Sequence, residues 1–136
     1  MHFPPHNAPA SGAQGLVGYS IDLNAADGTS KIVLDVGDQH LNRNGTLHGG
    51  IHAMMLDAAA GFAASRHLAD GSDQIVPVVT LSLSTSFVAA ISKGCAIATG
   101  QVTGGGFKIV YATAQIVDAA GVVCSTASGV FKRAAK

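Results

Sequence analysis

One stretch of the chain combines a glycine-rich polar turn with an apolar run that holds a single carboxylate. The turn is residues 48–50, with the sequence His-Gly-Gly, and the run is residues 51–64. The run lacks proline and has little β-branching, which predicts a helix, and its apolar residues on nearly every side predict a buried one. Asp57 lies in its middle. Since a buried carboxylate costs several kcal/mol unless it is paired or protonated, its position indicates a functional site.

The start of this helix has the properties of an oxyanion hole. A helix N-terminus presents free N–H groups and a partial positive charge, and Gly49 and Gly50 would let a ligand approach the backbone closely. With His48 at the same end, the turn suits a carbonyl oxygen that gains charge during acyl transfer. Asp57 is then the candidate nucleophile, or the base that activates water.

The spacing of these two groups predicts a symmetric dimer. Gly49 and Asp57 are eight residues apart, which is about 12 Å along a helix. A reacting carbonyl needs both groups within about 3 to 4 Å, so one helix cannot supply both. Two antiparallel helices related by a two-fold axis can, and we therefore expect a homodimer, or a dimer of dimers, with composite sites.

Each of these residues also has a simpler interpretation. Asp57 could be a structural carboxylate held by a neighbouring hydroxyl group, and residues 49–50 could be no more than a helix start. Asn42 could be a turn or cap residue, and Lys108 a solvated strand residue. The sequence alone leaves these alternatives open.

A zinc site is the weaker interpretation of the histidines. His48 and His52 are spaced i, i+4, as zinc ligands on a helix can be. The glutamate of the metalloprotease motif is absent and no third ligand is evident, so we expect no metal and no cofactor.

The composition favours an oligomeric, soluble protein of one domain. Only 12% of the 136 residues are charged and the net charge is zero, which gives no basic patch for nucleic acid. Such a low charge, against about 25% in an average domain, predicts that much of the surface is covered in an oligomer. The uncharged residues 74–92 contain Pro77 and many hydroxyl side chains, which favours a strand over a membrane span. Cys95 and Cys124 are expected as thiols, and no signal peptide is evident, so we expect a cytoplasmic protein.

The remaining pattern predicts an α+β domain. We expect a loose N-terminal arm at residues 1–14 and a single domain at 15–136, with a helix that ends between 67 and 71. Alternating apolar and polar residues predict six strands, at residues 16–23, 31–36, 78–88, 96–103, 107–117 and 122–132. Short turns predict antiparallel pairing, and the one apolar helix requires a strongly curved sheet wrapped around it.

The chain resembles the hotdog-fold acyl-CoA thioesterases, in particular the phenylacetate-pathway (PaaI-like) branch. The resemblance covers about residues 15–133 and is carried by Asn42-x-x-Gly45-x-x-His48-Gly49-Gly50 followed by Leu56-Asp57. It implies a hotdog fold, with a curved antiparallel sheet around a long central helix, and hydrolysis of an acyl-CoA thioester.

The resemblance also assigns roles to residues. It implies that Asn42 and His48 orient the thioester carbonyl and that the N–H of Gly49 binds its oxygen. It implies that Asp57 reaches the site from the other subunit, and that a hydroxyl on the next strand positions Asp57 or the water. Thr80 matches that hydroxyl, although Ser82 is expected on the same strand face.

The chain departs from the family at the hairpin that often carries several arginines. Here that hairpin has the sequence Gly-Gly-Gly-Phe-Lys, which leaves Lys108, with Arg43 elsewhere, as the candidate ligands of the CoA phosphates. Gly50 and Lys108 are therefore expected to bind substrate. An alternative is a non-catalytic protein of the same fold that binds or senses acyl thioesters, because a fold does not by itself give an activity.

Overall fold

The computed structural model describes residues 11–135, which form two helices, a 3-10 turn and six strands. The elements in chain order are α1 (Gly12–Val17), β1 (Ser20–Asp22), β2 (Ser30–Val36), the turn Asp38–His40, α2 (Gly49–Ala69), β3 (Val78–Phe87), β4 (Gly94–Gly105), β5 (Ile109–Val117) and β6 (Val123–Arg133). Five of the six strands lie within a few residues of the predicted bounds. The helix ends at Ala69, inside the predicted interval.

The N-terminal part differs from the prediction. Residues 1–10 of the predicted arm lie outside the described residues, and residues 11–17 form α1 with its cap. The hydroxyl of Ser11 accepts a hydrogen bond from the N–H of Gln14, and Gly18 ends the helix in the left-handed conformation. The first strand was predicted from residue 16, but it begins at Ser20 because α1 takes up the preceding residues.

A single antiparallel sheet wraps around α2. The strand order is β1-β2-β4-β5-β6-β3, so β3 lies at an edge, beside β6 and away from its sequence neighbour β4. Helix α2 packs against five strands that are neighbours in the sheet, namely β2, β4, β5, β6 and β3. The predicted α+β architecture, with a curved sheet around a central helix, is confirmed.

Close contact between α2 and β4 sets the depth of the helix in the sheet. A Cβ atom at Gly100 of β4 would overlap with the backbone carbonyl of Ala59 in α2. The buried hydroxyl of Ser30, on the neighbouring strand β2, donates to that same carbonyl oxygen. Small residues at 59, 60, 63 and 64 of the helix are fully buried here. The helix therefore lies directly on the backbone of the sheet.

A β-bulge in β3 corrects one expectation about strand faces. Thr80 pairs with Phe131 and Ser82 pairs with the adjacent Val130, so Leu81 is an extra residue in β3. An extra residue reverses the alternation of side chains, so Thr80 and Ser82 point to opposite faces. The prediction that they share a face is wrong. Thr80 faces the helix, while Ser82 lies on the outer surface of the sheet, with Ser84 and Ser128.

The contact at Gly100 gives the first prediction. We expect Gly100→Ala to destabilise the fold by about 2 kcal/mol or more, because the added methyl group forces the helix away from the sheet. Gly104→Ala on the same strand is the control, since a Cβ there meets no atom within 4 Å. Urea unfolding of both variants would test this, and equal stabilities would contradict it.

Candidate active site

The structure places the hydroxyl of Thr80 against the carboxylate of Asp57. Thr80 Oγ1 donates to Asp57 Oδ1 at 2.7 Å, which fixes the carboxylate on the helix side of the sheet. No residue among 11–135 donates to the second oxygen, Oδ2. Asp57 is half-buried in the single chain. One oxygen is held in place and the other can meet a ligand or water.

A cleft of about 350 Å³ opens beside this carboxylate. The small residues Ala58 and Gly61 of α2 contribute to its lining, as do Phe62 and Val78. The cleft is largely apolar, and Asp57 with Thr80 gives it one polar end.

Tyr19 lines the same cleft, and sequence reasoning did not find it. Its pKa is raised, first by burial of the phenol and second by the negative charge of Asp57, so the hydroxyl group stays protonated and can donate. Tyr19 precedes the helix by thirty residues in the chain and sits in a segment read only as a strand. No local pattern could therefore connect it with Asp57.

The turn at the start of α2 presents one backbone N–H to a ligand. His48 is the N-cap residue, and its Nδ1 accepts from the N–H of Gly50 at 2.8 Å. Gly49 is the first helical residue, and the N–H of that position has no acceptor within its own helix. The N–H of Gly50, expected to bind substrate, is already engaged by His48. Gly49 is therefore the candidate oxyanion donor at this turn.

Asn42 lies in the same loop as His48 and lines a surface cleft with it. Its Oδ1 accepts from the N–H of Asn44 and from both the N–H and the hydroxyl of Thr46. The turn role that the sequence left open for Asn42 is thus present. Its side-chain NH₂ group has no partner among the described residues and can donate to a ligand. Arg43 lines this cleft as well.

The single chain therefore contains two separate half-sites. Asn42, His48 and Gly49 come together at the start of α2, whereas Asp57 and Thr80 come together two turns along it. The helical separation of about 12 Å between Gly49 and Asp57 is maintained, because both lie in the unbroken helix α2.

Lys108 belongs to neither half-site. It is exposed in the turn between β4 and β5, and its carbonyl accepts from the N–H of Arg133. The guanidinium of Arg133 lies 4.0 Å from the centre of the Phe107 ring. Lys108 and Arg133 thus place two cations at one corner of the sheet. The sequence suggested only Lys108.

The two histidines of the i, i+4 pair have different partners. His52 is buried, and its Nδ1 lies 2.8 Å from the hydroxyl of Ser125, while His48 caps the helix. Phe87 meets the His52 ring edge-on, with 5.7 Å between ring centres. Within residues 11–135 no group of three histidine, cysteine, aspartate or glutamate side chains is arranged to hold a metal ion.

A comparison with protein families identifies the class of this protein. The model described as the thioesterase superfamily matches residues 44–125, which include the helix-start turn, Asp57 and Thr80. The chain belongs to the thioesterase superfamily. The predicted class of enzyme, a thioester hydrolase, is confirmed by this match. No protein of curated function matches the chain in sequence.

Solved structures share the fold at low sequence identity. The conserved protein PA5202 of Pseudomonas aeruginosa is 22% identical, with a TM-score of 0.80 over 92% of this chain and 95% of that one. The PaaI protein of the E. coli phenylacetic acid degradation operon is 19% identical, with a TM-score of 0.77 over 92% and 86%. A phenylacetic acid degradation-related protein of Ralstonia eutropha is 22% identical, with a TM-score of 0.79 over 94% of each chain. The predicted hotdog fold is confirmed by these likenesses.

None of the helices in the described part of the chain is both long and apolar enough to cross a membrane. The uncharged residues 74–92, which could be mistaken for such a span, contain the whole of β3 instead.

The burial of His52 gives a prediction about pH. Burial lowers the pKa of His52 below its ordinary value of about 6.5, so the unfolded chain binds a proton more readily than the folded one. As the pH falls from about 6.5 towards the lowered folded pKa, the contribution of the neutral His52 to stability is therefore lost. Urea unfolding should show that the free energies of unfolding of the wild type and of His52→Gln differ less at pH 5 than at pH 7.5.

A difference in unfolding free energy that stays constant over this range would contradict the prediction. The variant His67→Gln, at an exposed position of the same helix, is the control for effects common to any histidine.

Proposed function

We propose that this protein is an acyl-CoA thioesterase of the PaaI-like branch, which hydrolyses a thioester to a carboxylic acid and CoA. The observation that carries the proposal is the Asp57 carboxylate, oriented by Thr80 at the polar end of an apolar cleft. Membership of the thioesterase superfamily supports the reaction class. The resemblance in the motif from Asn42 to Asp57 supports CoA as the thiol carrier.

In the proposed mechanism the thioester carbonyl lies between Asp57 of one copy and the helix start of a second copy. The N–H of Gly49 donates to the carbonyl oxygen and stabilises the oxyanion, while Asn42 and His48 orient the thioester. Asp57 either takes a proton from a water molecule as that water attacks the carbonyl carbon, or attacks it directly. In both routes the C–S bond breaks and the CoA thiolate takes up a proton. In the direct route an anhydride between Asp57 and the acyl group forms as that bond breaks, and water then hydrolyses the anhydride and restores the carboxylate. Water supplies the oxygen that the reaction adds in either case.

A second copy is needed because the two half-sites are too far apart within one helix. The surface of the single chain supports such pairing. The half-buried side of α2, here called the open stripe, holds Asp57 among small and apolar residues: Ala53, Met54, Ala58, Gly61 and Phe62. Strand β3 is an unpaired edge on which Val79 and Leu81 are about half exposed. Antiparallel pairing of two chains through both surfaces covers this apolar area and brings Gly49 beside Asp57 of the other chain.

The proposal includes a place for the phosphates of the carrier. Lys108 and Arg133 form one cationic corner of the sheet, and Arg43 lines the cleft beside His48. The proposal also includes a cytoplasmic location, where acyl-CoA is made and used. The two cysteines, Cys95 and Cys124, are free thiols, which suits a reducing compartment.

A panel of acyl-CoA esters tests the function directly. We expect thiol release, read with a chromogenic thiol reagent, and a drop of about 10²–10⁴-fold in kcat for Asp57→Asn, because the amide cannot act as a base or nucleophile. Asp73→Asn, at an exposed loop position, is the matched control. Binding of acyl-CoA without thiol release from any ester would instead favour the non-catalytic alternative.

The oxyanion donor can be removed without breaking the helix. Proline is favoured at the first helical position and has no N–H, and His48 already has the extended backbone, with φ −60° and ψ 135°, that a following proline requires. We therefore expect Gly49→Pro to lower kcat by about 10²–10³-fold with little change in stability. Gly49→Ala keeps the N–H, and its Cβ would make an ordinary contact with Phe87 at 3.7 Å, so this variant is the control.

A mixed dimer tests whether the site is composite. Chains with Gly49→Pro and with Asp57→Asn are co-expressed with different tags, and the heterodimer is purified through both. One of its two sites then lacks both groups and the other lacks neither, so the heterodimer should have about half of the wild-type turnover while each homodimer is nearly inactive. A heterodimer as inactive as the homodimers would place the whole site within one chain.

A further inference from the structure

The cleft beside Asp57 is a groove that follows helix α2. Its helical side runs from Asp57 to Ser65, eight residues or about 12 Å. The segment before and at the start of β3, residues 75–78, lines it together with the helix. Among the described residues that line the groove, only Tyr19 comes from the chain before α2. The groove thus starts at the candidate catalytic carboxylate, and one aromatic side chain from the N-terminal segment contributes to its lining.

The backbone around Tyr19 is fixed. Gly18 ends α1 in the left-handed conformation with φ +91°, and its N–H donates to the carbonyl of Gln14 at 2.7 Å. The carbonyl of Val17 lies 2.7 Å from Nε2 of the buried His40, and the side-chain amide of Gln14 donates to the carbonyl of Tyr19. Strand β1 begins at the next residue. Tyr19 is therefore a built part of the groove and not a mobile lid.

The side-chain polar atoms of the groove are bound to protein partners, apart from two. Thr80 donates to Asp57 Oδ1, and Ser65 Oγ accepts from the N–H of Val76 at 3.0 Å. The two exceptions are the hydroxyl of Tyr19 and Oδ2 of Asp57, which have no hydrogen-bond partner in the described part of the chain. The remaining surface is apolar, with Phe62 and Val78 among its members. Such a surface suits a hydrocarbon or aryl group that leads away from the carboxylate.

We propose that Tyr19 is a specificity-determining residue that contacts the acyl group of the substrate. The carbonyl carbon lies at Asp57, and the acyl group extends along the groove towards Ser65, packed against the ring of Tyr19. The groove therefore favours acyl groups with a hydrocarbon chain or aryl ring to pack against Tyr19 over the acetyl group, whose single methyl group makes little contact with the ring. This inference rests on the proposed function, because it assigns the acyl part of the same site.

Substrate preference tests the role of Tyr19. For Tyr19→Ala we expect the ratio of kcat/KM for hexanoyl-CoA to that for acetyl-CoA to fall about tenfold, because the longer group loses more contact with the ring than the acetyl group does. Tyr19→Phe keeps the ring and should keep this ratio. Tyr111→Ala is the matched control, because Tyr111 is the other tyrosine of the chain and lies on the outer face of the sheet.

Three outcomes would overturn the proposal. If Tyr19→Ala lowers kcat/KM equally for both esters, Tyr19 has a structural or general role. If neither kcat/KM value changes, the acyl group lies elsewhere. Circular dichroism melting checks that Tyr19→Ala is folded, and a wild-type preference for acetyl-CoA would also count against the groove as the acyl site.

Binding of thioether analogues separates this inference from the proposed function. S-hexyl-CoA and S-methyl-CoA cannot be hydrolysed, so calorimetry measures their affinity whether or not the protein is catalytic. We expect Tyr19→Ala to weaken the binding of S-hexyl-CoA about tenfold and to leave the affinity for S-methyl-CoA unchanged. Loss of this difference overturns the role of Tyr19. Absence of hydrolysis by the wild type, with the difference in binding intact, overturns only the thioesterase mechanism.

Discussion

The contact of helix α2 with the backbone of β4 sets the position of the candidate groups that this helix carries. Gly100 lets the carbonyl of Ala59 reach the sheet, and Ser30 gives that carbonyl a hydrogen bond, so the helix cannot move outward without leaving a buried polar atom unpaired. At this depth Asp57 is level with Thr80 of β3. A glycine and a serine far from the reaction thus hold the carboxylate in place.

The apolar character of α2 has two separate causes. One side of the helix packs on the sheet, where alanines at 59, 60, 63 and 64 allow the close approach. The other side is the open stripe, which the single chain leaves half-buried although it is apolar apart from Asp57. An ordinary surface helix would be charged there. Apolar residues on this side are explained by a second copy of the chain and by the groove for a substrate.

Much of the fold was predictable because its signals are local. The alternation of strand residues, the Asp-Gly turn after β1 and the uninterrupted apolar run of α2 each report on their own segment. The separation of Gly49 from Asp57 was also predictable, since it follows from helical rise alone. The bulge at Leu81 was not, because the alternation of apolar and hydroxyl residues continues through it without a glycine or proline. Tyr19 was missed since only the packing of α1 and β1 beside the helix brings it to the groove.

The bulge in β3 divides that strand into two parts with opposite orientation. Before Leu81, alternate side chains such as Val78 and Thr80 face the helix, and after it the helix-facing set shifts by one position, so Ser82 and Ser84 face outward. Loss of a single residue at this point would restore the regular pleat and turn the Thr80 hydroxyl, or the core residues beyond it, to the wrong side. The length of this strand is consequently under tighter constraint than the identity of outward side chains such as Ser82 and Ser84, which an engineer could exchange for solubility or labelling.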